Sequence, residues 1–136
     1  MGCRKLSFRN TISKYFSNHA ETRDNHWDPS LQTHYYKTTK DKGMSLLEDL
    51  FQRSQVYELH SISKEHGEIS VNLKKGKKAF IIATIIMVRP YQTAVDFSVT
   101  TESLLPIDFG YSTKLIKLLY EDINKELPLI TKEKQA

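Results

Sequence analysis

The sequence predicts an α+β fold, a two-layer sandwich in which two helices cover one face of an antiparallel sheet of four to five strands. The chain has 136 residues, 39% of them hydrophobic and 26% charged, which is the size and composition of one globular domain. From Val56 onward, strand-like segments follow one another through links too short for the crossover that parallel strands need. Two other segments repeat apolar residues at helical spacing.

One strand and one helix are predicted before Val56. Residues 31–39, LQTHYYKTT, favour a strand. Thr38 and Asp41 have the spacing of a capping box, and the helix that they begin continues to about Arg53. One side of this helix is predicted to be buried, because its apolar residues recur at helical spacing: Leu46, Leu47, Leu50 and Phe51.

Four strands are predicted next. VYELHSI and EISVNL alternate apolar and polar residues, and EHG supplies the turn between them. In TAVDFSVT, the predicted inward residues are Val95, Phe97 and Val99, and the predicted outward residues are Asp96, Ser98 and Thr100. In AFIIATIIMV, residues 79–88, both alternating sets are apolar, so both faces of this central strand are predicted to be covered. The sets are Phe80, Ile82, Ile86 and Val88, and Ala79, Ile81, Ala83, Ile85 and Met87.

The last predicted element is a helix from about Ser112 to Leu127, which Pro128 ends. Its buried stripe consists of Ile116, Leu119, Ile123 and Leu127. The complete order is β-α-β-β-β-β-α, which is similar to that of helix-grip and TATA-binding-protein-like folds. That similarity concerns the fold and carries no function.

Domain organisation is predicted to comprise an N-terminal arm over residues 1–30, one α+β domain over 31–130 and a C-terminal tail over 131–136. Within the arm, residues 4–16 place aromatic and aliphatic side chains on one side of a helix and basic ones opposite, so they either touch a membrane surface or pack on the domain. The apolar run at 79–88 is too short to span a bilayer as a helix, so no transmembrane segment is predicted.

Composition narrows the function classes. The net charge of +4 is weaker than expected for a dedicated nucleic-acid binder. Cys3 is the single cysteine, which excludes an intrachain disulfide and favours a reducing, cytoplasmic setting. The five histidines are scattered, and the five glycines form no phosphate-binding loop. We therefore predict no catalytic residues, no metal site and no cofactor.

Two segments are candidate binding sites. A predicted hairpin turn carries four lysines around a glycine: Lys74, Lys75, Lys77 and Lys78. Their charges either form a positive field that attracts nucleic acid or an anionic surface, or belong only to a solvated turn. The turn before the last helix contains Asp108, Gly110 and Ser112. Asp108 and Ser112 are good helix caps and Gly110 permits a positive φ, and the same free amides could instead bind an anion.

The segment VRPYQTAVDFSVTTESLLPIDFGYSTKLI resembles the closing part of the bacterial family called domain of unknown function 1499. Asp108, Gly110 and Ile116 fall where that family has its aspartate, glycine and helix-start isoleucine, whereas Ser112 replaces its asparagine. The whole chain is similar to small uncharacterised cytosolic proteins of Gram-positive spore-forming bacteria. These resemblances imply no known activity.

Three functions stay open. The leading hypothesis is a non-enzymatic binding or scaffolding domain that uses the sheet face opposite the helices for self-association, such as a homodimer, or for a protein partner. The alternative is a nucleic-acid or anionic-surface binder that uses the hairpin from Lys74 to Lys78. The third is a hydrolase of unknown substrate.

Overall fold

The structure, a computed structural model, describes residues 19–75, 78–101 and 110–130. These residues form seven strands and two α-helices. The strands are β1 (His19–Glu21), β2 (His34–Tyr36), β3 (Tyr57–Ser63), β4 (Glu68–Leu73), β5 (Ala79–Arg89), β6 (Gln92–Thr101) and β7 (Leu129–Ile130). The helices are α1 (Lys40–Arg53) and α2 (Tyr111–Asn124), and a short 3-10 turn spans Pro29–Leu31.

The strands pair antiparallel in the order β3-β4-β5-β6-β2-β7, and β1 also pairs with β6. β5 and β6 form the long central hairpin. On the other edge of β6, His19 of β1 lies opposite Thr100, and His34 of β2 lies opposite Val95. β1 and β2 therefore pair with successive parts of the same edge of β6. Residues 22–33 form the loop that connects these two strands.

Both helices contact the side of the sheet that carries the core residues. On α1, a Cβ at Gly43 would lie 3.3 Å from Cγ2 of Ile85. On α2, Tyr120 packs edge to face on Phe97, with ring centroids 5.0 Å apart. The α+β class predicted from the sequence is confirmed. The inward orientation predicted for alternate residues of β6 is also confirmed, since Val95, Phe97 and Val99 are buried.

The predicted number of four to five strands is wrong, because β1 and β7 add to the sheet. β1 lies within residues 1–30, and its first residue follows directly on residues 1–18, which lie outside the described part of the chain. β7 contains two residues, and its Leu129 pairs with Tyr36 of β2. Both additions are short strands that complete backbone hydrogen bonding along an edge that would otherwise be bare.

The prediction that both faces of residues 79–88 are covered is wrong. Ile81 and Ile85 are fully buried, whereas Ile86 and Val88 on the other set are 51% and 49% exposed. Met87, which belongs to the same set as Ile81 and Ile85, is 45% exposed. The physical reason is that both helices contact the face that carries Ile81 and Ile85, while the end of β5 also extends beyond its last pair with β4, which joins Glu68 to Thr84.

The predicted end of α1 at Arg53 is confirmed, and the other three predicted helix ends are off by one to three residues. Thr39, not Thr38, caps α1, because its hydroxyl accepts a hydrogen bond from Lys42 N at 3.3 Å. The Thr38 carbonyl is used elsewhere, since it accepts from Thr93 Oγ1 at 2.6 Å. α2 ends at Asn124 rather than near Leu127, as expected where a following proline disfavours helical backbone.

Candidate ligand-binding site

The lysine hairpin and the start of α2, predicted separately, lie at the same end of the sheet. Ala79, which follows the hairpin, pairs with Thr101, which precedes the segment leading into α2. The backbone N–H of Lys74 donates to Val56 O at 2.6 Å and ties the hairpin to the entry of β3. The hairpin, the start of β3 and the first turns of α2 therefore surround one region of surface.

A cleft of about 370 Å³ opens between these elements. Most of its wall is apolar or aromatic and comes from β3, β4 and α2: Val56, Tyr57, Leu73, Tyr111, Leu115 and Leu118. Val56 and Leu118 are 38% and 49% exposed, so apolar surface reaches solvent at the cleft. Concave apolar surface with a few polar groups is the usual form of a small-molecule site.

The charged groups of the cleft are Lys75, Lys114 and Asp122. Lys114 belongs to the first turn of α2, where the helix dipole already favours negative charge, and that turn contains no acidic residue. Asp122 lies slightly more than two turns further along α2 and pairs with Lys125 at 3.8 Å. The positive charge is therefore concentrated towards the hairpin and the helix start.

Tyr57 supplies a hydroxyl at the wall of the cleft. Burial, together with the charges of Asp122 and Tyr111, raises the pKa of Tyr57 to about 12. Its hydroxyl consequently stays protonated at neutral pH and is able to donate a hydrogen bond. Phe51 of α1 packs edge to face on the Tyr57 ring, with centroids 5.2 Å apart, which fixes the ring's direction.

The predicted site residues are placed as follows. Lys74, Lys75 and Lys78 are exposed, and of these Lys75 lines the cleft. Gly110 begins α2 with a φ of 81°, which confirms its predicted positive φ. Lys77 and Asp108 lie outside the described residues.

Ser112 is not the cap of α2. The cap position is Gly110, and Ser112 is 2% exposed within the first turn. The sequence reasoning missed Tyr111, Lys114 and Leu118 as cleft residues. Leu118 carried a signal, because it is an apolar residue outside the predicted buried stripe of its helix.

A second polar cluster lies where residues 22–33 leave the sheet. Asp96 Oδ1 accepts hydrogen bonds from Thr22 Oγ1 at 2.7 Å and from Thr33 Oγ1 at 2.6 Å. Because these threonines stand at the two ends of the loop, the carboxylate links those ends, in addition to the backbone hydrogen bond from Thr33 N to Arg23 O at 3.2 Å. Burial raises the pKa of Asp96; the two hydroxyls oppose that shift, and the charge of Asp24 adds to it.

His34 lies on the core side of β2, next to this cluster. Its ring stacks on Tyr120 with centroids 3.6 Å apart, and its Nδ1 lies 3.0 Å from Gln32 O, in position to donate to that carbonyl. Burial lowers the pKa of His34, although the Gln32 hydrogen bond and the charge of Asp96 partly oppose this. The stacked ring is therefore neutral at neutral pH.

Replacing His34 with phenylalanine is expected to remove one component of acid sensitivity. The folded protein binds the His34 proton more weakly than the unfolded chain does, so the wild type loses stability as the pH falls below the ordinary value of 6.5. Phenylalanine keeps the stacking on Tyr120 without the titration. Urea unfolding of both proteins between about pH 7.5 and 5 checks this, and parallel pH profiles would contradict it.

Among the described residues, no group of three or more histidine, cysteine, aspartate or glutamate side chains is placed to hold a metal ion. Within the same residues, no helix has the length and apolar character needed to cross a membrane. No protein-family model matches the chain, and comparison with curated proteins and with solved structures finds no similar protein. The resemblance to domain of unknown function 1499 stays a prediction.

Proposed function

We propose that this protein is a non-catalytic binding domain whose cleft holds an anionic amphiphile, a small molecule with an apolar body and a negatively charged head. The observation that carries the proposal is the combination in one cleft of an apolar wall with Lys75 and Lys114. An apolar body would lie against Val56, Leu115 and Leu118, and the head would meet the two lysines.

The physical terms favour this class of ligand. Burying apolar surface contributes roughly 25 cal/mol per Å², so covering the exposed parts of Val56 and Leu118 favours an apolar body. The start of α2 and Lys114 attract the same sign of charge. A hydroxyl of Tyr57 that stays protonated adds a donor for the head group.

Binding of 1-anilinonaphthalene-8-sulfonate, a fluorescent anionic amphiphile, tests the proposal. Leu118→Glu is expected to weaken binding roughly tenfold or more, because it places a charge on the apolar wall. Lys114→Glu is expected to weaken it by a similar factor through charge reversal. Lys117→Glu is the matched control, since Lys117 is an exposed lysine of the same helix outside the cleft lining, and it should bind like the wild type.

A neutral dye separates the two contributions. N-phenyl-1-naphthylamine has a similar apolar body without the sulfonate, so Leu118→Glu should weaken its binding while Lys114→Glu should leave it nearly unchanged. Equal affinity of all three variants for both dyes would contradict the proposal.

Nucleic-acid or anionic-surface binding is the second candidate, favoured by the exposure of Lys74, Lys75 and Lys78 around one hairpin. Salt-dependent retention on heparin or duplex DNA, lost when the four lysines from Lys74 to Lys78 become glutamine, would support it. In that case Leu118→Ala, which removes apolar surface without adding a charge, should have little effect on retention, since an apolar wall plays no part in counterion release.

A further inference from the structure

The end of the β5–β6 hairpin, remote from the cleft, exposes apolar side chains on both of its faces. Ile86, Met87, Val88 and Tyr91 are 51%, 45%, 49% and 61% exposed. Ile86 lies opposite Ala94 and Met87 lies opposite Thr93, so the two neighbours point to opposite sides of the sheet. We call residues 86–91 the hairpin tip.

The hairpin tip projects from the rest of the sheet. β4 pairs with β5 only as far as Thr84, and the last bond on that side runs from Ile85 N to Gly67 O at 2.7 Å. A register shift between Met87 and Arg89 marks a bulge that turns the strand end further. On the β4 side the tip therefore has no neighbouring strand, whereas on the β6 side β2 reaches as far as Thr93, which lies opposite Met87.

Tyr91 occupies the tip in a strained conformation. It is the second residue of the two-residue loop between Arg89 and Gln92, and its φ is 59°. In a tight turn, the residue that follows a proline and has a positive φ is normally glycine or asparagine. The chain thus keeps a large, exposed aromatic side chain at a place where a smaller residue would be less strained, which points to a function of that side chain.

Positively charged side chains lie near the hairpin tip. Lys37 follows Tyr36, which pairs with Thr93, and Lys40 Nζ donates to Glu65 O in the turn between β3 and β4. The charged residues next in the chain to the paired and contacting positions at this end are the cations Lys37, Lys40, Lys42, Lys64 and Arg89 and the acids Asp41, Glu65 and Glu68. Cations outnumber acids, so the surroundings of the tip attract an anionic surface.

We propose that the hairpin tip inserts into the headgroup layer of an anionic lipid bilayer. Aliphatic side chains on both faces would enter the acyl boundary, while the Tyr91 hydroxyl and Arg89 would stay with the headgroups. A flat partner surface covers one face of a hairpin, whereas a lipid layer surrounds both. A stable protein interface also takes about 800 Å² on each side, and four side chains at the end of one hairpin do not offer that area.

Flotation of the full chain with vesicles tests this proposal. The wild type is expected to bind vesicles of phosphatidylcholine mixed with phosphatidylglycerol, and to bind pure phosphatidylcholine vesicles less well. Met87→Asp and Tyr91→Gly should each weaken binding to the mixed vesicles roughly tenfold. Trp27→Asp removes an apolar side chain that is 38% exposed in the loop over residues 22–33, and as the control it should bind like the wild type.

Urea unfolding keeps the test independent of folding defects. Tyr91→Gly relieves the positive φ, so its unfolding midpoint should equal or exceed that of the wild type while its vesicle binding falls. Absence of wild-type binding, or binding by both tip variants that equals the wild type, would overturn the proposal. A wild-type dimer that Met87→Asp converts to a monomer, without vesicle binding, would overturn it in favour of self-association.

Discussion

Gly67→Ala is expected to destabilise the protein by about 3 kcal/mol, as the sum of left-handed strain and a disrupted hydrogen bond. Gly67 has a φ of 69°, and an added Cβ would lie 2.3 Å from the backbone carbonyl oxygen of Ile85. That oxygen belongs to the central strand and cannot rotate away as a side chain can. Relief requires the turn to separate from β5, which breaks the bond from Ile85 N to Gly67 O.

Gly43→Ala provides a matched control, because Gly43 also faces Ile85. There the added Cβ would lie 3.3 Å from Cγ2, a side-chain atom that is able to shift. Alanine also favours the helix over glycine by up to about 1 kcal/mol, so Gly43→Ala should stay within about 1 kcal/mol of the wild type. Urea or thermal unfolding of the two variants measures the difference.

Gly67→Asn separates the two causes of the expected loss. Asparagine tolerates a positive φ better than alanine, yet it carries the same Cβ. If the contact with the Ile85 carbonyl dominates, Gly67→Asn should be nearly as unstable as Gly67→Ala. An asparagine variant of near wild-type stability would show that backbone strain, and not the contact, sets the requirement for glycine.

The sequence pattern predicted those elements whose buried residues recur at regular spacing within one continuous segment. The alternation at Val95, Phe97 and Val99 and the helical spacing in α1 and α2 follow directly from which side chains must leave water. β1 and β7 were not predictable in this way. Each has two or three residues, and each exists because a neighbouring strand presents unpaired backbone groups, which is a property of the assembled sheet.

The candidate site was partly predictable for a related reason. Lysines around a glycine identified the hairpin, and the positive φ of Gly110 followed from residue type. The meeting of Lys75 with Lys114 and Leu118 depends on strand register and on the angle at which α2 crosses the sheet. Those quantities are set by packing between segments far apart in the chain, and no local pattern encodes them.

Asp96→Ala is expected to destabilise the protein by about 2 kcal/mol, because it removes the acceptor shared by two threonine hydroxyls. Thr22 Oγ1 and Thr33 Oγ1 both donate to Asp96 Oδ1. Thr22 Oγ1 also accepts a hydrogen bond from Phe97 N at 2.9 Å, and the substitution leaves that bond in place. The expected loss of stability therefore comes from the two threonine hydroxyls that no longer have Asp96 as their acceptor. Residues 22–33 would then lose the side-chain link between their two ends and keep the backbone hydrogen bond from Thr33 N to Arg23 O.

Asp96→Asn is expected to behave differently, since an amide oxygen accepts the same two hydrogen bonds without a buried charge. Because burial raises the pKa of Asp96, the folded wild type binds this proton more tightly than the unfolded chain does. Wild-type stability should therefore fall as the pH rises from the ordinary value of 3.8 through the raised pKa, and level off above it. Asparagine removes that fall.

The difference between wild type and Asp96→Asn reports this carboxyl group together with its coupling to His34, because removing the Asp96 charge also removes its effect on the His34 pKa. At neutral pH the asparagine variant should be as stable as the wild type or more stable, and its advantage should shrink as the pH is lowered. Urea unfolding across this range measures the difference. An asparagine variant as unstable as Asp96→Ala at neutral pH would mean that the negative charge itself holds the loop closed, and that burial does not govern this carboxyl group.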